Sequence, residues 1–249
     1  MTSLAQRNVA LTIEYDGTDF SGWQRQSRRP SVQAEIERAA AAVTGERVSL
    51  AGAGRTDAGV HALGQVANFR TASRIAAGRF PAALNAHLPR SIRILSAWEA
   101  APEFHARFSA TARTYRYAVL NRPAPSAILR AHTYHVPAPL DLHAMQEAVT
   151  PLLGTHAFTS FRAVGSGERT TVCTLSRADV ARGGDTVLLT FEADRFLRHM
   201  VRLIVGTLLR VGQGKLAPEA VGEVLAAEDN RRAGPRAPAH GLFLVRVSY

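Results

Sequence analysis

Lysine is almost absent from this 249-residue chain: Lys215 is the only one, so arginine supplies the rest of its 30 basic residues. Cysteine is equally scarce. Cys173 stands alone, which excludes an intrachain disulfide and a multi-cysteine zinc centre and suits a reducing compartment. No stretch offers about eighteen uncharged apolar residues, so no membrane span is expected. The opening MTSLAQRNVALTIEY lacks the basic segment and apolar run of a secretory signal, and the reading is a cytoplasmic protein. Acids are thin as well: 20 against 30 bases leave a net charge of +10. Between Glu46 and Glu99 there is one acidic side chain, Asp57.

What is present follows from those gaps. Arginine grips phosphate with two parallel hydrogen bonds and stacks on bases, so an arginine surplus points to a polyanionic partner. A GC-rich genome would account for the ratio of arginine to lysine but not for ten excess charges. At 46% hydrophobic residues, the chain has ample apolar surface for a core.

The order of patterned segments sets the expected fold. NVALTIEY alternates with period two and predicts a strand over 8–15. SVQAEIERAAAAV, with Ser31 as N-cap and Gly45 as stop, predicts a helix. Two β-like runs follow, 47–54 and 64–71, then a helical pattern over 75–87 and a strand in SIRILSAW. The second half repeats this order with longer insertions: TARTYRYAVLN as a strand, LDLHAMQEAVTPLLG as a helix, CTLSRADVA and DTVLLTFEA as a hairpin about Gly183-Gly184. RFLRHMVRLIVGTLLRV reads as one long helix, PEAVGEVLAAE as a short one and GLFLVRVSY as a last strand. The expected class is α+β. Two ferredoxin-like β-α-β-β-α-β halves, 1–105 and 106–249, form a mostly antiparallel sheet with helices on one face and a basic cleft on the other.

Several chemistries fall to counting. Gly52 and Gly54 lack the third glycine of a dinucleotide fingerprint, and Gly214-Lys215 has Leu209 and Leu216 where a phosphate loop needs Gly and Ser or Thr. DGTDF lacks calcium-loop spacing. Asp57 and His61 are four apart, but the glycines around them argue against a shared helix face, and no third metal ligand stands nearby.

Asp57 lies in LAGAGRTDAGVHALGQVANF, and its bland explanation is a turn, since aspartate makes Asx-turns and Gly54 and Gly59 mark a loop. Against that, a carboxylate in a basic groove repels phosphate, and a group that opposes binding is expected to serve chemistry. At 100° per residue, Arg195, Arg198, His199, Arg202, Gly206 and Arg210 fall on one stripe of the long helix. Arg202 is flanked by Val201 and Leu203 mid-helix, with Gly206 one turn on to permit close packing; a half-buried arginine needs an anion. Tyr115 and Tyr117 share one face of their strand and Arg116 the other. Either tyrosine suits a core, and either would suit stacking on an extruded base.

Six blocks carry a resemblance. GRTDAGVHA (54–62), YDGTDFSGWQRQ (15–26), FHARFSATARTYRY (104–117), FLRHMVRLIVG (196–206), VGQGK (211–215) and APAHGLFLVRVSY (237–249) resemble, in family order, those of the tRNA pseudouridine synthase A family. The chain departs from the pattern at Leu203, where asparagine is common, and at Cys173, where arginine is common. The resemblance implies an isomerase that converts uridine to pseudouridine at positions 38 to 40 of the tRNA anticodon stem-loop, as a homodimer, without cofactor or metal. It makes Asp57 the catalytic aspartate, Arg202 the arginine that pairs with it, Tyr115 the tyrosine that packs on the target base, and Arg55 an arginine that helps extrude the nucleotide. Whether Asp57 attacks the sugar carbon or removes a sugar proton is left open; both need its carboxylate ionised, and a nearby guanidinium favours that form. The alternative is a non-catalytic RNA-binding protein of two ferredoxin-like halves, for which TYRYAV is a poor match to the aromatic RNA-binding strand and which leaves Asp57 unexplained.

Overall fold

Residues 6–249 are described by the computed structural model; the first five, part of the segment read for a signal, lie outside them. The chain divides into two units, one ending at Thr111 and taking in Leu244–Tyr249, the other Ala112–Phe243.

In the first unit the order is β1 (Arg7–Tyr15), α1 (Val32–Thr44), β2 (Ala51–Gly52), β3 (His61–Thr71), α2 (Phe80–Asn85) and β4 (Ile92–Ala100). β3 is antiparallel to both β1 and β2, and β4 is antiparallel to β1. β1 and β2 thus run parallel with β3 inserted between them, the split βαβ arrangement. Val32, Ile36, Ala39 and Ala40 recur at helical spacing on α1 and are fully buried, and Gly45 ends the helix at φ 71 with its N–H on the Ala41 carbonyl. Ser31 holds the N-cap position, but its buried hydroxyl makes no hydrogen bond among the described residues. Phe69 and Phe80 meet edge-on at 5.6 Å in a core with Leu11, Ile13 and Leu84, each such side chain stabilising by roughly 1.5–3 kcal/mol.

Two expected elements shrink here. The strand over 47–54 reduces to Ala51–Gly52, because side chains take over the backbone partners on its approach: Glu37 accepts from the Leu50 N–H at 2.9 Å, and the Glu46 carboxylate binds Thr71 and the Ala72 N–H. The helix over 75–87 becomes a 3₁₀ turn at Ala77–Arg79 followed by α2. Pro81 fits a first helical turn but forbids an α-helix running through it.

In the second unit the order is β5 (Ala112–Leu120), β6 (Tyr134–His135), α3 (Leu142–Val149), β7 (Gly154–Ala157), β8 (Val172–Gly183), β9 (Thr186–Ala193), α4 (Met200–Gly212), α5 (Ala220–Ala226) and the start of β10 (Leu242–Ser248). β9 lies antiparallel between β5 and β8, so the split βαβ recurs. The hairpin closes at Gly184, φ 59, as expected. β6, parallel to β5, and β7, antiparallel to β8, were not foreseen; each is four residues or fewer, too short to show periodicity. Asp141 caps α3 by accepting from Ala144 N–H at 3.0 Å, and Pro151 cuts that helix into a 3₁₀ turn before Gly154.

The long helix is the main correction. It begins at Met200, not Arg195, because His199 takes a left-handed conformation at φ 65. The preceding backbone is committed elsewhere. Arg195 N–H bonds the Asp194 carboxylate, Arg198 N–H bonds Glu168, and the Arg198 carbonyl receives Ala163 N–H. Arg195, Arg198 and His199 therefore do not extend the Arg202 stripe.

Candidate active site

Asp57 sits in the eight-residue connection between β2 and β3, and its loop is held by groups on three sides. The buried Tyr15 hydroxyl lies 2.7 Å from Thr56 Oγ1, the Trp23 N–H donates to the Thr56 carbonyl at 3.1 Å, and the fully buried Gln65 amide donates to the Gly54 carbonyl at 2.8 Å. The β1–β3 register shifts between Ile13 and Tyr15, a bulge that re-aims Tyr15 at the end of its strand. Asp57 accepts the Val60 N–H through its carbonyl, which turns the chain and leaves its side chain part-exposed. Arg55 is exposed.

The strap over 16–26 presses against this loop so closely that only glycine fits. A Cβ on Gly22, at φ 95, would come 2.5 Å from the Thr56 carbonyl oxygen, and one on Gly17 would come 2.0 Å from that of Val60. Trp23 in turn lies over Gly52, where a Cβ would reach 2.5 Å from the indole nitrogen. The strap is anchored on α1: Gln33 accepts from Arg25 N–H at 3.1 Å, and Glu37, 5% exposed, pairs with the Arg25 guanidinium. Tyr15, Trp23, Gln33, Glu37 and Gln65 were missed as supports. For Gln33 and Glu37 the signal available was a polar residue on an otherwise apolar face of α1, which reads as noise without the tertiary partner.

His61, four residues on, engages the strap. Its buried Nδ1 lies 3.1 Å from both Asp16 Oδ1 and the Gly17 N–H.

Tyr115 and Arg202 belong to the second unit. Tyr115 pairs with Phe191 and Tyr117 with Leu189 across β5 and β9, so both rings share one face, as their spacing requires. Their environments differ. Tyr117 is fully buried with its hydroxyl on the Pro238 carbonyl at 2.8 Å, which makes it the core tyrosine; Tyr115 is 8% exposed and meets Phe196 edge-on at 5.0 Å.

Arg202 is 8% exposed on α4, and its Nε donates to the Ala237 carbonyl at 2.8 Å while Ala237 N–H returns to the Arg202 carbonyl. Gly206 makes this packing possible: a Cβ there would stand 1.7 Å from the Pro235 carbonyl oxygen. The Arg202 charge is felt by its neighbours. Burial raises the Tyr117 phenol well above its usual range against the pull of Arg202, and burial lowers His240 with Arg202 and His132 adding to the effect. Cys173 is buried, and burial with the Asp194 charge pushes its thiol up to about 12, so it is no nucleophile near neutral pH. No helix among the described residues is long and apolar enough to cross a membrane.

The chain presents, then, a braced glycine loop carrying one carboxylate, a strand tyrosine beside Phe196, and an arginine locked on a buried helix. The tRNA pseudouridine synthase family model matches residues 11–109 and 148–249, which takes in all of these except Tyr115. The chain belongs to the tRNA pseudouridine synthase family. Its relatives include the tRNA pseudouridine synthase A of Acetivibrio thermocellus, 49% identical over 98% of this chain and 100% of that protein. Those of Roseiflexus castenholzii, at 47% over 98% of this chain and 91% of that protein, and Moorella thermoacetica, at 45% over 97% and 99%, bear the same name.

Proposed function

We propose that the protein isomerises uridine to pseudouridine in tRNA, and the observation that carries this is the full-length likeness to proteins named tRNA pseudouridine synthase A. In that reaction the bond from the sugar carbon to N1 of the uracil breaks, a bond to C5 forms, the C5 proton leaves and N1 gains a proton. No atom is added or lost overall, so neither an oxidant nor a group donor is required.

The roles are assigned to residues by the same reading. Asp57 acts on the ribose as nucleophile or base, Arg202 pairs with its carboxylate, Tyr115 packs against the target base, and Arg55 helps hold the flipped nucleotide out of the stack. A braced loop suits the first role, because a catalytic group must be held to within a fraction of an ångström of its target. The arginine surplus supplies phosphate contacts that offset the few kcal/mol needed to unstack a base. The target is uridines 38 to 40 of the anticodon stem-loop, and the working form is a cytoplasmic homodimer. Residues 1–105 carry the aspartate and 106–249 the tyrosine and arginine.

Mass-spectrometric mapping of pseudouridine in unmodified tRNA transcripts treated with the protein tests the reading. Conversion confined to positions 38 to 40 is the expected result. Conversion elsewhere would remove the assigned site, and no conversion in any tRNA would remove the activity.

A further inference from the structure

We propose that Phe108 is a stacking platform for an unpaired base of the bound RNA, flanked by His105 and Arg107; the proposal rests on the reading of the protein as a tRNA-modifying enzyme and adds a contact to it. Phe108 is 76% exposed, the most exposed aromatic ring among the described residues' large hydrophobics. Leaving that ring in water forgoes much of the stabilisation its burial would bring. Isolated exposed apolar side chains are common on protein surfaces, so exposure alone decides nothing. What decides is how the ring is held and what surrounds it.

The loop is rigid by construction. Ser109 N–H donates to the His105 carbonyl at 2.9 Å, Ser109 Oγ accepts from His105 N–H at 3.1 Å, and Arg107 N–H donates to His105 Nδ1 at 3.1 Å. Beneath it, Asn68 accepts from Ala106 N–H at 2.9 Å, Asn8 donates to the Phe104 carbonyl at 2.8 Å, and the Tyr249 hydroxyl donates to the Ala106 carbonyl at 2.9 Å. Asn8 and Asn68 are 2% and 7% exposed, and they are joined to each other at 2.8 Å. Buried amides that spend their hydrogen bonds on one surface loop fix its conformation. The exposed ring is therefore presented, not merely left loose.

Its neighbours identify the ligand. The His105 ring lies 4.4 Å from that of Phe108 at 36°, and the Arg107 guanidinium carbon is 5.6 Å from the Phe108 centroid. Aromatic, imidazole and guanidinium groups together are the set on which splayed RNA bases stack. An apolar protein partner would call for a contiguous apolar patch, whereas Arg107 and Ser109 on either side of the ring are exposed and polar.

The test is binding of an unmodified tRNA transcript to wild type, Phe108→Ala, Phe108→Leu and Phe108→Trp, with pseudouridine formation followed in parallel. Alanine and leucine are expected to weaken affinity alike, about tenfold, and to raise KM by the same factor with kcat unchanged; tryptophan is expected to keep affinity and lose fluorescence on tRNA binding. Unchanged affinity in Phe108→Ala, full rescue by leucine, or tryptophan emission that does not respond to bound tRNA would each overturn the platform. A wild type that binds tRNA but makes no pseudouridine would overturn the enzymatic reading and leave the platform standing.

Discussion

The two units use one connection in opposite ways. In each, a β-hairpin link joins the second and third strands of a split βαβ. In the second unit that link is minimal: β8 runs twelve residues to Gly183, Gly184 and Asp185 turn the chain, and β9 begins at Thr186. In the first, the corresponding β2 is only two residues long, and eight residues from Ala53 to Val60 intervene before β3. The ladder given up by β2 is replaced by side chains and by the strap over 16–26, and the length released carries Asp57. On the proposed assignment, a fold repeated twice supplies scaffold at both places and a site at one, and the site falls where regular pairing is surrendered and something else must hold the backbone.

The largest effect expected from breaking this contrast is at Asp57 itself. Asp57→Asn keeps the loop's size and turn chemistry but removes the charge, and turnover should fall by about 10²–10⁴-fold or more while tRNA affinity stays within a few-fold of wild type. Tritium release from tRNA labelled at C5 of uridine measures this directly. Turnover near wild type would leave the β2–β3 loop with no more function than the hairpin of the second unit.

Next in size is Gly206→Ala. The methyl group would have to displace the Pro235 carbonyl and with it the 235–237 segment on which the Arg202 Nε is bonded. A loss of about 2–3 kcal/mol is expected, seen as a fall in Tm of roughly 4–12 °C, with kcat reduced beyond what unfolding explains. A Tm within a degree of wild type would mean that the segment yields freely and that Arg202 is not held by it.

How much of this was legible in the sequence depends on whether the cause is local or distant. The strand at Tyr115, α1 with its glycine stop, and the Gly183-Gly184 hairpin follow from periodicity and turn chemistry, which act over a few residues. The burial of Arg202 was legible for the same reason, since Val201, Leu203 and Gly206 mark a packed face, but its mid-helix position was not: with α4 starting at Met200, it lies in the first turn. The start of α4 was not legible either: apolar residues at helical spacing run back through Phe196 and Leu197, and it takes the left-handed His199 and the bonds of Arg195 to Asp194 and of Arg198 to Glu168 and Ala163 to hold the start at Met200. The same holds for β2, cut short by Glu37 reaching across to Leu50. Asp57 stood out as an isolated acid, but its supports Tyr15, Trp23 and Gln65 look like ordinary core residues until the loop they hold is seen.

A smaller effect is expected at Tyr15→Phe, which removes the hydroxyl on Thr56 and leaves the ring in place. The lost bond is worth about 1–3 kcal/mol with Thr56 left unpaired on that side. If the loop's precision depends on it, kcat should drop about fivefold with KM unchanged. A drop in Tm without any change in kcat would assign Tyr15 to stability alone and make the brace irrelevant to the chemistry.

The smallest effect belongs to the other hairpin. Gly184→Ala places a side chain at φ 59, where no atom of the described residues beyond its chain neighbours lies within 4 Å of the new methyl, so the penalty is left-handed backbone strain of roughly 1–2 kcal/mol. Tm should fall by a few degrees, and kcat and KM for tRNA should stay at wild-type values in the folded fraction. That combination, strain without loss of activity, is what a link used only to turn the chain predicts. A rise in KM at unchanged fold would instead place the β8–β9 tip on the RNA, and the two hairpin links would then differ in which part of the substrate they touch rather than in whether they touch it.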